Sequence, residues 1–158
     1  IDIRPDQPAL LASVADVLAS DAMVLPSLAP GCGPFPHGRG RWLSMPEDET
    51  RRRTTVALYA ALVADVALDL IGARDRLLIE GRFSESQVFV RALAALRPDT
   101  HVYVCHARSD VSFGALRLVN PQLQPSSSLV RIEPLAQDLS DYRDRWRREA
   151  ERMEHAST

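Results

Sequence analysis

The sequence predicts an α/β fold, helices packed on a short, mostly parallel sheet, and three observations carry that expectation. A helical period runs through residues 47–71. Beyond it stand two short apolar runs, Leu77-Leu78-Ile79 and Val102-Tyr103-Val104-Cys105. Between those runs lies a second helical stretch, and strand, helix, strand in that order reads as two parallel strands joined by a right-handed crossover. A chain of 158 residues suits one domain. Its 46% apolar content is enough for a real core.

In chain order, residues 8–20 space Leu11, Val14 and Leu18 as a short helix does. The apolar stretch Ala22-Met23-Val24-Leu25 is stopped by Pro26, and residues 30–40 hold too much Gly and Pro for regular structure. Arg41-Trp42-Leu43-Ser44 reads as a short strand leaving that loop. Ser44 and Glu47 match a capping box, with Pro46 where a first turn tolerates it. Val56, Tyr59, Val63, Val66 and Leu70 then mark the buried face of a helix over about 47–71, and Gly72 stops it. Leu77-Leu78-Ile79 is expected as a buried strand. Ser84 and Gln87 form a second capping box, opening a helix through Leu96 that Pro98 closes. After the strand at 102–105 come a loop over 106–110 and a short helix over 111–119. A polar linker at 124–128 and an edge strand at 129–132 follow. A charged helix over 135–154 ends the chain, with Leu139, Tyr142, Trp146 and Met153 as its buried side. No internal repeat is present. Residues 1–46 thus read as short or irregular elements, and 47–158 as a helix, a βαβα core and a terminal helix.

Composition excludes several functions. The net charge of −2 argues against a dedicated nucleic-acid binder. All 19 basic residues are Arg, so lysine Schiff-base and P-loop chemistry is ruled out. Cys32 and Cys105 make neither a disulfide framework nor a zinc site. No apolar run approaches the roughly 20 residues that span a bilayer, and the polar start of the chain lacks a signal-peptide core. The expectation is a cytoplasmic protein with no membrane or nucleic-acid partner. His101, Cys105 and His106 lack a fourth ligand and suggest no metal. Arg51-Arg52-Arg53, near a helix start against the dipole preference, reads first as a solvated face and second as an anion or partner site. Asp65 and Asp69, four apart on the long helix, read first as its polar flank and second as a carboxylate pair for acid–base work.

In open parallel sheets, ligands sit beyond the carboxyl ends of strands, where helix N-termini offer N–H groups. Residues 80–86 and 106–112 fall at such places. Gly81 permits close backbone approach, Arg82 offers charge to a phosphate, and Ser84 serves as a cap or ribose contact.

Glu80-Gly81-Arg82-Phe83-Ser84 resembles the Gly-Gly-x-x-x-Ser turn of the FGGY carbohydrate kinases, and Ser112-Phe113-Gly114-Ala115-Leu116 resembles their A-x-G-A-A helix. Upstream, Leu25-Pro26 through Gly31, followed by 40–43, is similar to the family's L-P-x-x-x-G-E-R-x-P…G stretch. The resemblance spans about residues 22–150. It implies the C-terminal lobe of a sugar kinase, ribonuclease-H-like and actin-like in fold. The implied nucleotide-binding residues are Glu80, Gly81, Arg82, Ser84 and Gly114, with no catalytic residue and no directly bound metal. The implied cofactor is ATP or ADP with Mg²⁺. In the family an N-terminal lobe brings the first phosphate loop, the Asp that deprotonates the sugar hydroxyl, and most sugar contacts. The chain is therefore expected to be inactive alone, with a nucleotide as its direct partner and homo-oligomer formation open. Two departures stand out: Glu80 replaces the turn's first Gly, and Gly31-Cys32-Gly33 replaces Gly-Glu-Arg. They keep a second reading in play, a non-catalytic α/β module acting through subunit contacts.

Overall fold

The computed structural model describes residues 4–29, 31–105, 115, 116, 118–122 and 129–156. Two short helices, α1 (Gln7–Ala12) and α2 (Val14–Ala19), precede a two-stranded antiparallel sheet of β1 (Met23–Leu25) and β2 (Arg41–Leu43). The long helix α3 (Glu49–Leu70) leads to β3 (Arg76–Ile79), a 3-10 turn (Gly81–Glu85) and α4 (Gln87–Leu96). The chain continues through β4 (His101–Cys105) and β5 (Leu129–Arg131) to α5 (Ser140–Ala156). The α/β class holds, but the sheet is mixed. β3 and β4 run parallel, with Leu77 opposite Val102 and Ile79 opposite Val104, whereas β5 lies antiparallel to β4.

Four local expectations change. The first helix is two, broken at Ser13, whose hydroxyl bonds the Leu10 carbonyl at 3.0 Å and the Thr54 hydroxyl at 2.7 Å. Such side-chain bonds compete with helix continuation. α3 is capped by Asp48 rather than Ser44: the Asp48 carboxylate accepts from the Arg51 amide at 2.8 Å, while Ser44 sits at φ +48° outside the helix. The fully buried face of α3 is Thr54, Thr55, Ala57, Leu58, Ala61, Leu62 and Asp65, about 140° round the helix from the expected stripe. Tyr59, Val63 and Val66 pack against the core edge, and Leu70 is exposed. Small side chains let α3 approach α4 closely, so the deepest face is not the most hydrophobic one. Lastly, β3 is half-exposed rather than buried. Leu77 and Ile79 turn to the core while Leu78 faces out at 53% exposure, because only one face of this strand packs against the core.

Trp146, Met23, Leu25, Leu58, Val14, Val17, Val88 and Val90 are sealed in the centre. The Gly/Pro segment after β1 folds back onto that centre. Phe35 meets the Trp146 ring edge-on at 5.6 Å, and the Gly40 amide donates to Ser27 O at 2.8 Å. α5 starts at Ser140, later than expected, where the Asp138 carboxylate accepts from the Ser140 amide at 2.8 Å. No described helix is long and apolar enough to cross a membrane.

Candidate functional site

At the carboxyl end of β3 the chain enters the 3-10 turn through Gly81, whose φ of +69° is left-handed backbone that favours glycine. Nothing lies within 4 Å of where a side chain would begin at Gly81, so its backbone faces open space. Glu80, Gly81 and Arg82 are exposed, and the Glu80 carboxylate and Arg82 guanidinium form no hydrogen bond or ion pair among the described residues.

The turn is held from beneath. Ser84 is buried, and its hydroxyl donates to the Gly81 carbonyl at 2.7 Å. The Phe83 ring leans on Phe89 of α4 with centroids 5.1 Å apart. The expected capping box of Ser84 and Gln87 is not formed. The 3-10 turn delays the helix, so Ser86 occupies the N-cap and the Gln87 amide donates to the side chain of Gln7, from α1, at 3.1 Å. Glu80, Gly81, Arg82 and Ser84 thus share one turn at the parallel strand's end, whereas Gly114 and the loop over 106–114 lie outside the described residues.

The sequence reading missed a second constellation. Asp65 and Asp69 are not a solvated flank: Asp65 is 3% exposed and joins Asp69 in a cluster with two arginines. Arg97, at the C-cap of α4, reaches Asp65 and Asp69, both at 2.9 Å, and the Ala73 carbonyl at 2.8 Å. Arg147 of α5 reaches the other oxygens, Asp65 at 2.6 Å and Asp69 at 3.2 Å. The hydrogen bond from Arg97, outweighing the upward push of burial, holds the Asp69 carboxyl below the usual range. This cluster clasps three helices. The four-residue spacing of the two aspartates was its one sequence signal, since nothing local points to Arg97 or Arg147 as partners. His101 is exposed against Arg131 at 3.0 Å, Cys32 is exposed and Cys105 buried.

Comparison with known proteins bears on this architecture. The family model described as carbohydrate kinase FGGY, C-terminal domain, matches residues 1–126. The chain belongs to this family. A crystal structure of a carbohydrate kinase from Novosphingobium aromaticivorans is 61% identical and superposes with a TM-score of 0.85. The match covers 94% of this chain and 32% of that one, so the chain spans about a third of that kinase's length. Among curated proteins there is no match. The mixed sheet with its flanking helices is consistent with the actin-like, ribonuclease-H-like C-terminal lobe expected for an FGGY kinase.

Proposed function

We propose that the chain supplies the nucleotide-binding half of an ATP-dependent sugar kinase, which phosphorylates a sugar hydroxyl, and that it is inactive without the N-terminal lobe. The supporting observation is the open backbone at Gly81, left-handed and unobstructed beyond a parallel strand. ATP with Mg²⁺ supplies the transferable phosphoryl group, so the protein's task is positioning and charge stabilisation. Gly81 lets the adenosine lie against the backbone, and Arg82 offers its guanidinium to a phosphate. The Glu80 carboxylate accepts from ribose hydroxyls and swings clear of phosphate, having no partner to hold it. Ser84 has its proton committed to Gly81, so it shapes the turn and has only lone pairs left to offer a ligand. Gly114, in the second motif of the family resemblance, is the remaining nucleotide contact of this reading. The metal arrives with the nucleotide, the sugar is met mainly through the N-terminal lobe, and the setting is the cytoplasm.

An NMR titration of the isotope-labelled chain with Mg-ADP, and with ADP alone, tests this reading. Saturable amide shifts confined to Gly81, Ser84 and Gly114 are expected. Flat spectra from a folded sample, for both the wild type and Glu80→Gly, would overturn it. A response gained only with Glu80→Gly would favour the second reading, a module acting through subunit contacts. That reading draws on Leu78 and Leu129, exposed on the same face of the sheet, a surface suited to a second subunit.

A further inference from the structure

Beside the first turn of α4, a recess of about 290 Å³ opens between α1, the start of α3 and Ser86. Its floor is apolar, made by Leu10, Val56 and Ala57. The charges around its rim are unequally matched. Glu49 is paired with Arg4 at 2.9 Å, and Arg53 with Asp6. Arg52 is half-buried and has no ion pair among the described residues, which leaves one uncompensated positive charge at the mouth. Ser86 is 1% exposed, yet its hydroxyl neither caps α4 nor bonds another described group. A hydroxyl on the wall of a recess, with no protein partner, keeps its hydrogen-bonding capacity for a ligand that enters it. The N-terminus of α4, a helix of 10 residues, adds partial positive charge at the same place.

We infer that this recess binds a small organic carboxylate with an apolar body. The carboxylate takes the Arg52 guanidinium and the Ser86 hydroxyl, and the hydrocarbon lies on Leu10, Val56 and Ala57. Inorganic phosphate satisfies the charge but leaves the floor wet, and a neutral aromatic covers the floor but leaves Arg52 unpaired. The site shares no residue with the turn at 80–84, so it stands whether or not the nucleotide reading does.

Benzoate is the probe, titrated into the labelled chain and followed by amide shifts, with benzamide and inorganic phosphate as controls. Saturable shifts at Val56, Ala57 and Ser86 are expected, with benzamide at least about tenfold weaker, the scale of a lost charge-assisted hydrogen bond, and phosphate at least about tenfold weaker because it leaves the apolar floor uncovered. Arg52→Gln, a substitution at a half-exposed position that preserves the fold, should weaken benzoate about tenfold, and Ser86→Ala severalfold. The inference is overturned if a folded chain shows no saturable benzoate shift, if benzamide or phosphate binds equally well, or if Arg52→Gln leaves the affinity unchanged. Mg-ADP added to the same sample reads the turn at Gly81 separately, so failure of one site does not count against the other.

Discussion

Where α5 crosses β1, buried rings reach over to the strand and its flank: Tyr142 donates to the Ala22 carbonyl at 2.5 Å, and Trp146 to the Val24 carbonyl at 2.7 Å. Tyr59 and Phe35 close edge-on around the Trp146 ring. At the end of β3 the arrangement is reversed. Glu80, Gly81 and Arg82 face solvent, and the turn's internal ties all lie underneath, in Ser84 and in the Phe83–Phe89 contact. The difference shows how this fold divides its work. A seam can satisfy its polar atoms internally and become rigid, whereas the turn proposed to receive a nucleotide keeps its backbone open and is fixed from one side only.

The sharpest way to break the rigid side is Arg97→Ala. It strips Asp65 of its fully buried partner, leaving it only the more exposed Arg147, and loosens the clasp between α3, α4 and α5. Removing one member of a buried pair costs about 3–5 kcal/mol, and urea denaturation should show a loss of that size.

Tyr142→Phe is the next largest. It leaves the buried Ala22 carbonyl without its donor, a loss of roughly 1–3 kcal/mol. The same substitution changes the alkaline limb. Burial, with the nearby Asp21 charge, pushes the Tyr142 hydroxyl well above the ordinary tyrosine value of 10.0. A group raised in the folded state contributes stability that is fully present below its unfolded value and is lost as pH climbs above it. Thermal melts of the wild type should therefore begin to fall above about pH 10, and Tyr142→Phe should flatten that fall.

The smallest effect belongs to the open side. Gly81→Ala forces a side chain onto a φ of +69° at a cost of about 1–2 kcal/mol, with no steric clash to add to it. Its diagnostic readout is the Mg-ADP titration, in which the shifts at Ser84 should shrink while the melting temperature moves by only a few degrees.

Much of this architecture was legible because it depends on local pattern. The strands β3 and β4, the intervening helix and the glycine beyond β3 each carry their signal within a few residues. The parts that were not legible depend on partners distant in sequence. α3 presents two faces with helical spacing, and the more hydrophobic one, through Val56, Val63 and Val66, is not the deeper one. The choice is made by Ala57 and Ala61, which allow close packing, and by Asp65, which is buried only because Arg97 and Arg147 come to meet it. Ser44 and Ser84 both fit a capping pattern, and both lose the role to residues two to four positions onward. In the first case Asp48 is a better acceptor placed nearer the helix. In the second, an interposed 3-10 turn moves the start. The turn beyond β3 was legible as a turn, but Ser84 faces inward, a direction that a one-dimensional pattern does not contain.

The stitching of β1 to α5 also bears on when the protein can fold. Val24 waits 122 positions for the indole that satisfies its carbonyl, and Ala22 waits 120 for its phenol. A ribosome working from the amino end releases the two short helices, β1, β2 and α3 well before it makes Trp146. Until then the centre of the molecule lacks its largest side chain, and β1 carries bare carbonyls into what should be a dry interior. Contacts so distant along the chain are slow to form and come late. This part of the nascent chain is therefore an open shell until α5 emerges, and only then does it close.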